Sequence, residues 1–215
     1  MSSLFIIGIA GASGSGKTHF ANIIRAQMED PTDIEIISCD SYYKPYPGGG
    51  VAPADFNWDS PDVIDLELLK NDINRLRQGL IVAVPDYDFK TNQRAAEPHK
   101  TIDGSKLKVI LVEGLFVLLD RELCSLYNLK IFTWLDLDIC LARRLIRDFK
   151  ERGSSYEKTL HVYQKNVKPA YVNFIEPTKK NADLIISTSE YTDSVVSLDV
   201  IKMYISAKLL VQKFA

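Results

Sequence analysis

Gly11-Ala-Ser-Gly-Ser-Gly16-Lys17-Thr18 holds the residues whose types and spacing carry the clearest chemistry in this chain. The segment fits GxxxxGK[ST] and lies between a short apolar run and a helix-period stretch, the setting this pattern needs. Gly11, Gly14 and Gly16, with Ser13 and Ser15 between them, let backbone N–H groups turn inward around an anion. The N-terminus of the following helix adds its partial positive charge. Lys17 can reach the outer phosphates and the Thr18 hydroxyl can ligate magnesium. A chance glycine-rich turn is the competing reading, and the strand–loop–helix setting argues against it. The segment is read as a nucleoside triphosphate site.

Further groups could act beside it. Glu113 closes the apolar run VILVE and is followed by Gly114. A carboxylate there can hold magnesium through water, or can be a solvated strand end; the phosphate loop favours the first. Asp40, in Cys39-Asp40-Ser41-Tyr42-Tyr43, follows another apolar run. It could orient a hydroxyl and accept its proton in phosphoryl transfer, or serve only as a cap or loop acceptor. Arg143, Arg144, Arg147 and Arg152 surround a helix whose other face carries Leu141, Leu145 and Phe149. They read either as a solvated basic face or as a mobile lid that neutralises a moving phosphoryl group, with Gly153 as hinge.

The elements that must position these groups alternate along the chain. Strands are expected at Leu4–Ala10, Ile34–Ser38, Ile81–Val84, Tyr87–Phe89, Lys108–Val112, Leu129–Leu135 and Asp183–Ser187. A helix over Lys17–Met28 follows the glycine segment, and Ser41–Asp59 reads as a long surface loop. The next helix is predicted to open at Ser60 as N-cap, with Pro61 in its first position, and to end at Gly79. Leu66, Leu69, Ile73 and Leu76 form its apolar stripe. Helices are also expected near Ile139–Lys150 and over Tyr156–Phe174, the latter bent at Pro169. Leu198, Ile201, Ile205 and Leu209 mark a closing amphipathic helix. This alternation predicts an α/β fold, a parallel sheet with helices on both faces, in which ligands sit beyond the carboxyl ends of the strands.

Composition narrows the function classes. At 215 residues, 46% hydrophobic and 25% charged, the chain is an ordinary globular domain without linker or repeat. A net charge of −2 argues against a protein that coats nucleic acid. Cys39, Cys124 and Cys140 lack CxxC spacing and read as reduced thiols. The three histidines are scattered, which excludes a histidine-built metal site, and no NKxD segment supports a GTPase. The first residues carry no charged n-region and too short an apolar run to span a bilayer, so no membrane is expected and the chain is placed in the cytoplasm.

Taken together, the motifs resemble the uridine kinase (uridine–cytidine kinase) family of P-loop kinases. The resemblance rests on GASGSGKT at 11–18, CDSYYK at 39–44, FNWDSPDVID at 56–65, YDF at 87–89 and VEG at 112–114. It continues through ARRLIRD at 142–148, ERG at 151–153 and VKPAYVNFIEPTKKNADLII at 167–186. It implies a single P-loop NTPase domain over 1–215, three-layer α/β/α, with a small β-hairpin substrate region inside an insertion at about 41–104 and a helical lid at about 139–156. The implied reaction is magnesium-dependent transfer of phosphate from ATP, or GTP as the other donor, to the ribose 5′-hydroxyl of uridine or cytidine.

By position, Asp40 matches the family's catalytic base and Asp59 the carboxylate that binds the ribose hydroxyls. Tyr43, Tyr87 and Phe89 match pocket aromatics, and Thr18 and Glu113 the magnesium-associated pair. Arg144, Arg147 and Arg152 match lid arginines on the ATP phosphates, Arg147 also facing the substrate. The resemblance further implies a homo-oligomer, with a tetramer as its size. The departures cluster: Asn92 stands at a base-reading histidine position, Val162 at a glutamine and Ser154 at a lid arginine. An Asn amide still offers a donor and an acceptor to a base edge. These departures keep open a related kinase of nicotinamide riboside, pantothenate or a sugar phosphate. A nucleotide-dependent regulatory protein is the reading from another class.

Overall fold

Alternation along the central strands sorts their side chains onto two faces, and both faces are apolar. The computed structural model describes residues 4–50, 52–53, 55–189 and 195–212. Strand β1 (Phe5–Gly11) is buried along its whole length. Phe5, Ile7 and Ile9 point to one face, where they join Phe20, Ala21 and Ile24 of helix α1 (Lys17–Gln27). Ile6 and Ala10 point to the other, with Leu69, Ile73 and Leu76 of helix α2 (Leu66–Arg77). Each fully buried aliphatic side chain contributes about 1.5–3 kcal/mol, so the two apolar layers fix both sheet and helices.

Five parallel strands form the sheet. Beside β1 they are β2 (Ile34–Ser38), β7 (Val109–Glu113), β8 (Leu129–Trp134) and β9 (Leu184–Ser187), in the order β2-β7-β1-β8-β9. Register places Glu113 level with Ile9 on one side and Ser38 on the other, and Gly11 level with Thr133. The ends of four neighbouring strands therefore meet at one edge.

The crossover from β2 to β7 carries two small antiparallel ladders rather than one hairpin. Strand β3 (Ile81–Val84) pairs with β6 (Lys100–Asp103), and β4 (Tyr87–Asp88) pairs with β5 (Gln93–Arg94). The remaining helices are α3 (Arg121–Leu126), α4 (Leu137–Arg152), α5 (Tyr156–Val162), α6 (Lys168–Ala170) and α7 (Val195–Gln212). Leu198, Ile201 and Ile205 of α7 are buried on the α1 side of the sheet, as their spacing predicts. Among the described residues, no helix is long and apolar enough to cross a membrane.

The structure departs from the sequence expectations in four places. Ser60 makes no side-chain cap, and Pro61–Val63 forms a separate 3₁₀ turn. Ile64 is extended because it bridges Tyr43, with Lys44 donating to the Val63 carbonyl and Asp65 to the Tyr42 carbonyl. The helix starts only after that bridge, capped by Asp65, whose carboxylate accepts from the Leu68 amide at 3.1 Å. Second, Ser41–Asp59 is not simply a surface loop: Tyr42, Tyr43 and Asp59 are buried. Third, the segment over Tyr156–Phe174 accommodates Pro169 within a helical backbone, with π segments Tyr163–Val167 and Tyr171–Ile175 on either side of α6. A wider turn relieves the clash of the proline ring with the preceding turn and tolerates its missing N–H. Fourth, the face of α4 turned inward carries Cys140, Arg144 and Asp148, while Phe149 is exposed and stacks on Tyr156 at 4.8 Å. The arginines are therefore not a solvated face opposite an apolar one.

Candidate active site

The loop between β1 and α1 is shaped by what surrounds it. Gly14 has φ +84°, and a Cβ there would sit 2.4 Å from the Cys140 carbonyl oxygen, so only glycine fits. A Cβ on Gly11 would meet Thr133 Oγ1 at 2.2 Å. Ser15 is fully buried: its amide donates to the Ala12 carbonyl at 3.0 Å and its hydroxyl is 2.7 Å from Thr133 Oγ1. Ser15 and Gly11 thus brace the cradle from behind and do not line it. Ser13, Gly14, Gly16, Lys17 and Thr18 do line the large cleft beyond the strand ends, about 1670 Å³.

Lys17 is buried, and its ammonium donates to the Ala12 carbonyl at 2.9 Å. Burial lowers its pKa, while the Glu113 and Asp40 carboxylates oppose that shift. Register explains why both are near. Glu113 lies level with Ser38, and Asp40 sits two residues beyond Ser38, in the 3₁₀ turn Cys39–Tyr42 that Ser38 caps. Burial raises the pKa of Glu113 and the Asp40 carboxylate adds to that, while Lys17 and hydrogen bonds from Ser38 and Thr18 act against it.

A buried carboxylate in need of positive charge, next to a hydroxyl, suits a hard divalent cation. Among the described residues no three His, Cys, Asp or Glu side chains are grouped to hold a metal alone. Magnesium commonly keeps waters and shares its shell with substrate phosphates, so Thr18 and Glu113 fit it as a pair.

An aromatic wall lines the same cleft. Tyr43, Tyr87 and Phe89 pack with ring centroids 5.1–5.6 Å apart, and Trp58 adds an edge to Tyr43 at 6.2 Å. The Tyr43 hydroxyl donates to the Trp58 carbonyl at 3.1 Å. Asp59, next in sequence, is buried, and burial lifts its pKa while Arg144 and Arg152 hold it down. Asn92 lies in the turn from β4 to β5 with φ 56° and lines the cleft, as do Ser154 and Val162.

The arginines join the two sides. Arg144 donates to Ser13 Oγ at 3.0 Å and faces Asp59 at 3.8 Å. Asp148 gathers all three guanidinium groups: Arg144 at 3.3 Å, Arg147 at 2.8 Å and Arg152 at 3.7 Å. Arg152 also lies over the Phe89 ring at 5.1 Å. Asp148 was not among the expected site residues, although its i±4 spacing from Arg144 and Arg152 is visible in the sequence. Arg143 donates to the Thr188 carbonyl at 3.4 Å, and both residues line the cleft on the Gly16 side.

A phosphate cradle after the central strand of a parallel sheet, sharing one cleft with carboxylates and aromatics, defines a P-loop kinase fold. Its architecture is also that of D-glycerate 3-kinase from Cryptococcus neoformans, with a TM-score of 0.63 at 16% identity over 87% of each chain. The chain belongs to the phosphoribulokinase/uridine kinase family, whose model matches residues 6–194. It is 39% identical over 206 residues to uridine-cytidine kinase B of Dictyostelium discoideum, covering 95% of this chain and 82% of that one. It is 40% identical over 194 residues to the uridine kinase of Lactobacillus johnsonii, covering 90% of each. Against several other relatives the match spans 95% of this chain but only 40–43% of their length.

Proposed function

We propose that this chain transfers the γ-phosphoryl group of ATP, with GTP as the alternative donor, to the 5′-hydroxyl of uridine or cytidine. The observation that supports this reading most is the shared electrostatics of Lys17, Glu113 and Asp40 at one cleft edge, with Asp59 and the aromatic wall opposite. In this reading Ser13, Gly14, Gly16 and Lys17 hold the phosphates, and Ser15 and Gly11 keep the loop in shape. Asp59 holds the ribose, Tyr43, Tyr87 and Phe89 enclose the nucleoside, and Asn92 meets the base. Asp40 takes the proton of the 5′-hydroxyl as its oxygen bonds to phosphorus. The bridging P–O bond breaks, and its electron pair leaves on the β-phosphate of ADP. Arg147, Arg144 and Arg152 offset the charge on the moving group. Thr18 and Glu113 would hold magnesium, which would supply further charge neutralisation. Residues 41–104 serve as the acceptor-binding insertion and 139–156 as the lid. The free thiols of Cys39, Cys124 and Cys140 suit a reducing compartment such as the cytoplasm.

Asn92 and Val162, both on the cleft wall, favour one alternative: the same transfer to another hydroxylated metabolite. The test is ATP-dependent phosphate transfer across uridine, cytidine, their 2′-deoxy forms, purine nucleosides, nicotinamide riboside and pantothenate. Turnover of a pyrimidine ribonucleoside above all others is expected. Inactivity on these, with turnover of another compound, sinks the proposal.

A further inference from the structure

Among the described residues, nothing hydrogen-bonds or ion-pairs with the Asp40 carboxylate; only its backbone amide is tied, donating to Ser38 Oγ at 3.3 Å. Where that carboxylate stands is therefore set by the backbone of the 3₁₀ turn Cys39–Tyr42. Three ties hold the far end of this turn. The Tyr42 hydroxyl donates to the buried Asp72 carboxylate of α2 at 3.0 Å. Tyr43 bridges Ile64. The third tie is Arg94.

Arg94 lies on β5, paired with Tyr87, and is not one of the residues that line the cleft. Its Nε donates to the Tyr43 carbonyl at 3.1 Å. One terminal nitrogen donates to the Asp65 carboxylate at 3.0 Å and reaches the Tyr42 carbonyl at 3.5 Å. Three acceptors thus share one planar fork, a geometry that lysine cannot reproduce. Asp65 closes the arrangement, since its own amide donates to the Tyr42 carbonyl at 2.9 Å while its other carboxylate oxygen caps α2. The Arg94 charge also reaches the Tyr42–Asp72 pair on the turn.

The strand that carries Arg94 also carries part of the acceptor wall. Tyr87, its partner across the ladder, has its ring 5.2 Å from that of Tyr43. Asn92, two residues before Arg94, accepts from the Tyr46 amide at 2.9 Å. One side chain therefore joins the hairpin that shapes the wall to the turn that carries Asp40. A half-exposed ion pair with Asp65 is worth about 1 kcal/mol at most and needs no backbone carbonyls. Position is the larger effect: misplacing a reacting group by about 1 Å can cost about 10²-fold in rate.

We propose that Arg94 is a positioning residue that acts through Asp40, its guanidinium fork setting where that carboxylate stands relative to the aromatic wall. The proposal rests on the reading of Asp40 as the proton acceptor.

Single-turnover and steady-state rates with ATP and uridine or cytidine test it on four full-length chains: wild type, Arg94→Gln, Asp40→Asn and the double variant. Arg94→Gln is expected to lower kcat about 10- to 100-fold and to leave the KM for ATP within a factor of about three. In the Asp40→Asn background the same change should cost less than about threefold, because residues that act as a unit are not additive. Should Arg94→Gln lose its far-UV spectrum, Asp65→Asn replaces it in the same cycle, since it withdraws the charge that Arg94 grips. An unchanged kcat in Arg94→Gln, or equal losses with and without Asp40, would overturn the proposal and leave Asp40 in its role. Unchanged turnover in Asp40→Asn alone would remove that role, and the proposal with it.

Discussion

Arg144 and Ser13 touch: the guanidinium donates to Ser13 Oγ at 3.0 Å, tying helix α4 to the phosphate loop. The same side chain is buried between Asp59 and Asp148, its Nε facing Asp148 at 3.3 Å without hydrogen-bond alignment. Removing one member of a buried charge group strands the others, which costs about 3–5 kcal/mol. Arg144→Met should lower unfolding stability by about 3 kcal/mol in urea melts, a loss that Arg144→Lys, which keeps the charge, should cut substantially. A loss below about 1 kcal/mol would mean that water reaches this cluster.

Asp40 tests the chemistry itself. Its side chain borders the cleft, and Lys17 senses its charge. Asp40→Asn keeps the shape and loses the proton acceptor, so kcat should fall about 10²–10⁴-fold while ATP affinity stays within a factor of about three. Calorimetric ATP binding and single-turnover rates separate the two quantities. Unchanged turnover would remove Asp40 from the reaction.

Glu113 carries a pH signature. Burial first, and then Asp40, raises its folded pKa above the ordinary value of 4.5. The folded protein therefore holds this proton more tightly than the unfolded chain does. That contribution to stability is complete below about pH 4.5 and is lost as pH rises through the folded pKa. At neutral pH the nucleotide-free protein bears the cost of a buried carboxylate. Glu113→Gln should melt at a higher temperature than wild type at pH 7.5, with the gap narrowing toward pH 5, and should show weaker magnesium dependence of activity. A gap that does not vary with pH would contradict this account.

Much of this was legible in the residues, and the reasons are local. Strand β1 and the turn after it announce themselves because an all-apolar run can only be buried on both faces, and Gly14 and Gly16 take positive φ. The start of α2 was not legible, because it depends on the long-range bridge from Tyr43 to Ile64, which no window of neighbouring residues contains. Helix α4 misled for a related reason. Hydrophobic periodicity marks the inward face only when that face is apolar, and here it carries Arg144 and Asp148. Ser15 matched the motif, but its partner Thr133 is 118 residues away.

That Ser15–Thr133 contact is measurable. Thr133 Oγ1 lies 2.7 Å from Ser15 Oγ and donates to the Ala10 carbonyl at 3.1 Å, all of it buried. Thr133→Val keeps the volume but leaves the Ser15 hydroxyl without this partner, at a cost of about 1–3 kcal/mol. Denaturant melts read the stability loss, and ATP titration should show weaker binding as the loop loosens. Binding that is unaffected would mean the loop holds its shape through the backbone alone.

Asn92 separates a structural demand from a recognition role. With φ 56° it closes the turn from β4 to β5, its amide donating to Asp88 O at 2.8 Å and its carbonyl accepting from the Tyr46 amide at 2.9 Å. Left-handed backbone costs a non-glycine residue about 1–2 kcal/mol, a cost that asparagine bears more readily than alanine because its amide can bond locally. Asn92→Ala should therefore lose stability and base contact together, whereas Asn92→Gly keeps the turn and removes only the side-chain amide. If that amide reads the base, Asn92→Gly should raise the nucleoside KM about 3- to 10-fold, leave the KM for ATP unchanged and narrow the preference between uridine and cytidine. An unaltered nucleoside KM in Asn92→Gly, beside a destabilised Asn92→Ala, would assign this residue to the turn alone and move base recognition elsewhere on the cleft wall.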